Sequence, residues 1–254
     1  MRKFVEPRIG DRRVIRLIMK WLKAGVMEEG KWIEPERGTP QGGTISPLLA
    51  NIDLYPAFDQ WAHHWRKRNA RGDVVIVREA DDFVVGFEHR DEAERFRSEL
   101  GERLQTFALE LPSDKTRIVE FGKYAAERRA RRGEGKPETF TVLGFTHGCT
   151  KNRKGGFNLG RVTSRTRMRR KLQEIGTELK ARRHDPIPEQ GRWLRSVVRG
   201  HDNDYAVPGN MPALRVFRRG IAWLWQRALR GRSQRTRLTA MLRKRLCAPW
   251  LPKP

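Results

Sequence analysis

Two absences narrow the reading of this 254-residue chain at once. It has only two cysteines, Cys149 and Cys247, and no C-x-x-C pair. A disulfide framework is therefore excluded, a zinc site of the C-x-x-C kind is not expected, and a reducing cytoplasm fits the composition. It also has no apolar run near the ~18 residues that would span a bilayer. Its first residues, MRKFVEPRIGDRR, contain no apolar stretch of the kind a signal peptide needs. No internal repeat is visible.

The third scarcity is local. Residues 121–254 hold only 9 Asp+Glu against 33 Lys+Arg, whereas residues 1–120 hold 21 of each. The net charge of +24 thus lies entirely in the second half. An excess of this size points to a polyphosphate partner, and nucleic acid is the usual one. The first half has the charge balance of an ordinary globular unit.

Hydrophobic periodicity gives a coarse map. Val14, Leu17, Ile18, Trp21 and Leu22 recur at helical spacing between basic residues, and Gly25 ends that helix. A Gly- and Pro-rich loop follows, EEGKWIEPERGTPQGGTISP. LLANIDLYPAFDQWAHHW resumes the helical period, with Pro56 expected to kink or break it. DVVIV and DFVVGFE read as a hairpin around READ. A helix from Arg90 presents Ala93, Phe96, Leu100, Leu104 and Phe107 on one face. TRIVEFG and FTVLGFTHG read as further strands, separated by the charged surface excursion KYAAERRARRGEGKPE. From Thr163 onward basic amphipathic helices dominate. One carries Met168, Leu172, Ile175 and Leu179 inward. A short one carries Trp193, Leu194, Val197 and Val198, and a last one Leu214, Phe217, Ile221, Leu224 and Ala228.

The chemistry centres on IVREADDFVVGF. Asp81 and Asp82 sit at or near a hairpin turn, where both carboxylates can approach one site. Mg²⁺ takes carboxylate oxygens, commonly one or two from the protein with substrate phosphates completing the shell. Metals held in this way promote in-line nucleotidyl transfer. A solvated acidic turn is the plainer reading of the same two residues. The Gly-rich GTPQGGTISP loop can present backbone N–H groups to a nucleotide. Lys115, after the turn in LPSDKT, is a phosphate partner or simply a solvent-exposed lysine.

The order of these elements is more telling than any one of them. GTPQGGTISPLLANI, then ADDFVVGF, LPSDKT and VLGF, resembles the reverse transcriptases encoded by bacterial group II introns. RRHDPIPEQGRWLRSVVRG, YAVPGN and LWQRALRGRSQR look like the maturase-specific region of that family. The resemblance implies an α+β fold, with a partial polymerase palm (an antiparallel sheet with helices) over residues 1–160. An α-helical thumb and maturase domain would occupy residues 161–254. It implies that Asp81 and Asp82 are catalytic Mg²⁺ ligands, and that Pro40, Gln41, Gly42 and Lys115 hold nucleotide and template. It implies RNA contacts by Arg165, Arg167, Arg169, Arg170, Lys171, Arg192, Arg195, Arg215, Arg218, Arg219, Arg227 and Arg230. The partners would be intron RNA and an RNA/DNA primer–template, with no membrane.

The chain also departs from that family. On the resemblance it starts after the fingers and after an early palm strand bearing a further metal-binding aspartate, and so reads as N-terminally truncated. Asp11 is better explained as a helix N-cap than as that aspartate. Glu79 stands where the family has tyrosine, and reads as a departure from the palm rather than a third metal ligand. Asp202 and Asp204 stand where aromatics are usual and should weaken an apolar contact. Pro7 and Pro56 fall where helix is expected. No Cys/His endonuclease module follows. The expectation is an RNA-binding protein that assists intron splicing, with polymerase activity lost or impaired. The alternatives are a polymerase completed by a separate N-terminal polypeptide and a non-functional remnant.

Overall fold

The computed structural model describes residues 6–7, 9–23, 26–28, 31–33, 46–232 and 248–252, with the side chains of 21–47 left aside. It is an α+β chain that divides into two compact units, Met1–Ile118 and Val119–Pro254. Compactness thus divides the chain elsewhere than residue 160, the boundary read from the family's motifs.

In the first unit, α1 (Arg12–Lys23) begins where Asp11 accepts a 2.7 Å hydrogen bond from the Arg13 amide. That satisfies an otherwise orphaned N–H, so Asp11 is the helix cap its position suggested. Pro7 lies in a turn ahead of this helix. Ile18 is buried with Leu49, and Ile9, Ile15 and Ile52 pack around them. The inward stripe therefore runs through Ile15 and Ile18. Val14 and Leu17, expected to face inward, are exposed. Two short strands, β1 (Val26–Glu28) and β2 (Lys31–Ile33), pair antiparallel within what reads as loop from the sequence.

Helix α2 (Ser46–Leu54) continues into a π-helical turn, Tyr55–Asp59, and then into α3 (Gln60–Asn69). Pro56 has no N–H to donate, and the chain relaxes to the wider turn at that point instead of ending the helix. The hairpin β3 (Val74–Glu79) and β4 (Asp82–Phe87) forms as expected. Its alternation sends Val74, Ile76, Phe83, Val85 and Phe87 to one face. There they meet Phe58, Trp65 and, from α4 (Arg90–Gln105), Phe96, Leu100 and Leu104. Trp65 is fixed edge-on against both Phe87 and Phe96, and its indole N–H donates to Glu99 at 2.6 Å.

The second unit opens differently from the sequence expectation. TRIVEFG forms no strand; its Phe121 ring packs on Phe140 and Phe157 instead. The charged excursion contains one short helix, α5 (Ala125–Arg131). FTVLGFTHG is split into β5 (Phe140–Val142) and β6 (Phe145–Lys151) by Leu143 and Gly144, at φ 53° and 82°. Positive φ at both central residues is what a two-residue type I′ hairpin turn requires. A third strand, β7 (Phe157–Thr163), escaped the sequence reading. Asn152 closes its turn by accepting from the amides of Lys154 and Gly156, both at 2.9 Å.

Three long helices follow: α6 (Arg165–Ala181), α7 (Ile187–Tyr205) and α8 (Met211–Arg230). Helix α7 is longer than expected, because Pro188 sits in its first turn, where a missing N–H costs nothing. Ile175, Leu179, Leu194, Val198, Phe217, Ile221, Trp225 and Leu251 form the core of the bundle. Buried Gln190 ties it together, accepting from the Trp225 indole at 2.7 Å and donating to the Arg182 carbonyl at 2.6 Å.

Candidate functional site

The hairpin alternation that buries Ile76 and Phe83 also places Arg78 on the inner face, at the last position before the turn. A guanidinium there needs partners. Its Nε and Nη2 donate to the two carboxylate oxygens of Asp59, at 2.8 and 2.6 Å. Its Nη1 donates to Asn51 Oδ1 and to the Ala80 carbonyl, both at 2.6 Å. A planar fork suits this bidentate grip. Arg78 thus ties the turn to the π-helical segment and to α2. Ala80 adopts φ 52°, a left-handed conformation unusual for a residue with a Cβ. An open cleft of about 480 Å³, lined by Asn51, Ile52, Tyr55 and Arg78, lies beside this network.

Asp81 occupies the turn and Asp82 starts β4, and both are exposed. Glu79 pairs directly with Asp82 across the hairpin, on the outer face. Two carboxylates in such a pair repel. Among the described residues, no group of three His, Cys, Asp or Glu side chains could hold a metal ion. Asp81 and Asp82 match the share of protein oxygen that Mg²⁺ takes when phosphate and water supply the rest. A two-metal site needs a further carboxylate, and the described residues do not bring one there.

Lys115 is exposed on the turn Ser113–Lys115. Pro40, Gln41 and Gly42 lie outside the described residues. Arg78, Asp59 and Asn51 were missed by sequence reasoning. The one signal was a charge in the inward phase of a strand.

The basic candidates divide by environment. Arg165, Arg167, Arg169, Arg170 and Lys171 are exposed on α6, with Glu174 beside Arg170 and Lys171. Arg192 is exposed on α7, and Arg215, Arg219, Arg227 and Arg230 are exposed on α8. Two others are engaged within the fold. Arg218 donates to the Leu251 and Pro252 carbonyls at 2.9 and 2.8 Å. Arg195 donates to the Pro249 carbonyl and lies over the Trp250 ring. Gly191 makes room for that indole: a Cβ there would stand 2.4 Å from it.

At the end of α7, Asp204 is exposed and Asp202 is partly buried, and burial raises the Asp202 pKa. The aromatic packing at this turn comes from His201, stacked on Phe217 at 3.6 Å and on Tyr205 at 4.6 Å. Burial lowers the His201 pKa to about 4; Asp204 opposes that shift and Lys171 adds to it.

Residues 2–147, more than half of the chain, match the family described as reverse transcriptase (RNA-dependent DNA polymerase). The chain belongs to the reverse transcriptase family. Among curated relatives, it is 33% identical over 167 residues to Protein YkfC of Escherichia coli (strain K12), covering 52% of this chain and 44% of that one. It is 50% identical over 51 residues to Group II intron-encoded protein LtrA of Lactococcus lactis subsp. cremoris, or 20% of this chain and 8% of that protein. It is 48% identical over 51 residues to an Uncharacterized 91 kDa protein in cob intron of Schizosaccharomyces pombe, covering 20% and 6%. The resemblance to group II intron reverse transcriptases and maturases read from the motifs is supported by these matches. The chain spans less than half the length of these relatives. Reverse transcriptases use divalent metal ions, as the paired aspartates suggest. Among the described residues, no helix is long and apolar enough to cross a membrane.

Proposed function

We propose that this chain is an RNA-binding member of the group II intron reverse transcriptases, one that steadies folded intron RNA and so assists splicing in the cytoplasm. The observation that carries the reading is the segregation of charge: exposed arginines cover the outer faces of α6 and α8 in the half that holds the whole excess. On this reading residues 1–160 serve as a palm and residues 161–254 as thumb and maturase surface. Arg165, Arg167, Arg169, Arg170, Lys171, Arg192, Arg215, Arg219, Arg227 and Arg230 meet phosphates. Arg195 and Arg218 serve the RNA indirectly, by holding the segment that ends the fold. Asp81 and Asp82 hold Mg²⁺ weakly, while Pro40, Gln41, Gly42 and Lys115 line the nucleotide and template path. Nucleotide addition by this chain alone is lost or slight, because the described residues bring Asp81 and Asp82 no further carboxylate for a two-metal site, and Glu79 adds a charge that repels a triphosphate.

Affinity for a structured group II intron RNA, measured across a salt series, tests this. About six phosphate contacts would make binding fall roughly 10³-fold between 50 and 200 mM salt. Salt-independent or absent binding would sink the reading. Primer extension with Mg²⁺ should give no product, and Glu79→Tyr should not restore it. Extension that vanishes in Asp81→Ala would overturn this part. A second reading, a polymerase completed by another polypeptide, is favoured by the bare outer face of the hairpin, where Val75 is 62% and Val77 49% exposed. Extension that appears only on adding such a polypeptide would establish it.

A further inference from the structure

Helix α8 carries a large aromatic side chain on its outward face. Trp223 is 53% exposed, although the bundle has a well-packed core two residues to either side, at Ile221 and Trp225. Val216, Arg219, Trp223, Arg227 and Arg230 follow one another at spacings of three and four, so they share one face. The opposite face, through Leu214, Phe217, Ile221, Trp225 and Ala228, is the buried one. The Arg227 guanidinium lies over the Trp223 ring, 5.4 Å from its centroid. The indole remains half exposed beside it.

The face extends onto α6. A Cβ at Gly220 would lie 3.0 Å from the Leu172 methyls, and one at Gly176 3.2 Å from Leu224. Glycine at both contact points lets the helices approach closely, and the order of the contacts sets them running in the same direction. On α6, Arg165, Arg169, Leu172, Gly176 and Lys180 form one row at helical spacing. Arg169 and Lys180 therefore flank the side of α8 that presents Gly220 and Arg227. An aromatic ring bordered by cations on two parallel helices has the chemistry of a stacking platform for a nucleobase. The ring accepts the π-face of any base, and the arginines take the phosphates on either side.

We infer that Trp223 stacks against an unpaired base of bound RNA, with Arg219, Arg227 and Arg169 gripping the adjoining backbone. This rests on the RNA-binding reading above and specifies its ligand: a single-stranded or bulged segment, since paired bases are already stacked on one another. A solvent-facing tryptophan that meets another protein instead is the competing occupant, and charge favours the RNA. The surrounding side chains are cationic, and no acidic residue interrupts this face between Val216 and Arg230.

The test uses the full chain with two probes, a short mixed-sequence single-stranded oligoribonucleotide and a long RNA duplex. Trp223→Ala should weaken single-strand binding about tenfold and leave duplex binding and its salt slope unchanged. Trp223→Phe, which keeps a ring, should stay within about threefold of the parent. Arg219→Ala should weaken both probes and reduce the salt slope by about one. Unchanged single-strand affinity in Trp223→Ala overturns the platform and leaves the RNA-binding reading standing. The same holds for an equal loss on both probes, or for a change in sedimentation with RNA affinity intact. If the parent binds neither probe, both readings fail. Matching melting curves and circular dichroism exclude misfolding as the cause of a loss, and Trp223→Phe isolates the ring should Trp223→Ala fail to fold.

Discussion

Arginine meets different surroundings in the two units. The first, with 21 basic and 20 acidic residues, sets several of its arginines onto acids. Arg78 is clamped on Asp59, Arg71 meets Asp91 and Glu92, and Arg90 and Arg95 meet Glu94 and Glu99. The second, with 33 basic and 10 acidic residues, has too few acids for that. Glu120 and Glu134 bind two arginines each around α5, and the Glu120 pKa is lowered chiefly by its hydrogen bond from Arg132. The arginines on the outer faces of α6 and α8 greatly outnumber the acids beside them. The same side chain is thus paired with acids where carboxylates are at hand, and exposed along α6 and α8 where they are scarce, with Arg195 and Arg218 bound to backbone carbonyls instead.

The comparison is sharpest at Arg78. Arg78→Ala should cost the first unit about 3 kcal/mol, because it removes a bidentate pair and leaves the half-buried Asp59 charge unmatched. Chemical denaturation of the parent and variant measures it. RNA affinity of the correctly folded fraction should hardly change. If affinity collapsed while stability held, the division between tie and ligand would be broken.

His201 gives the next effect. Burial favours its neutral form, so its folded pKa, about 4, lies below its ordinary 6.5. Unfolding therefore takes up a proton between those values, and the second unit should lose stability as the pH falls from 6.5 to about 4. The full shift corresponds to about 3 kcal/mol. Above pH 6.5 the contribution is constant. His201→Phe, which keeps the stacking on Phe217 and Tyr205, should flatten this window in a pH series of melting curves. A slope of equal size in the variant would assign the dependence to other groups.

The smallest change in stability is expected at the outer faces. Arg215→Ala, at an exposed position on α8, should alter stability by less than about 0.5 kcal/mol. It should nevertheless lower RNA affinity and the salt slope. A stability loss as large as that of Arg78→Ala would erase the contrast between the units.

Much of this was legible from the sequence, and the reason is local. Helix α4 and the bundle helices follow from apolar residues at helical spacing, and the ADD hairpin from β-branched runs around a turn. The charge divide and the motif order need only counting and reading. Where local cues conflicted, the reading failed. TRIVEFG alternates like a strand, but Phe121 finds Phe140 and Phe157. β7 was hidden because NRKGG looks like loop until Asn152 closes it into a turn. In α1, spacing allowed several inward stripes, and contact with Leu49 selected the one through Ile18.

By itself the sequence determined the charge divide, the family and most of the helical faces, since charge, motif order and periodicity are carried by neighbouring residues. Tertiary structure alone decided which charged groups are already engaged. Asp59 lies 19 residues from Arg78, and the Leu251 carbonyl 33 residues from Arg218. Such pairings arise only when separate elements pack. The hairpin register likewise set Glu79 opposite Asp82, and packing left Trp223 facing outward among cations.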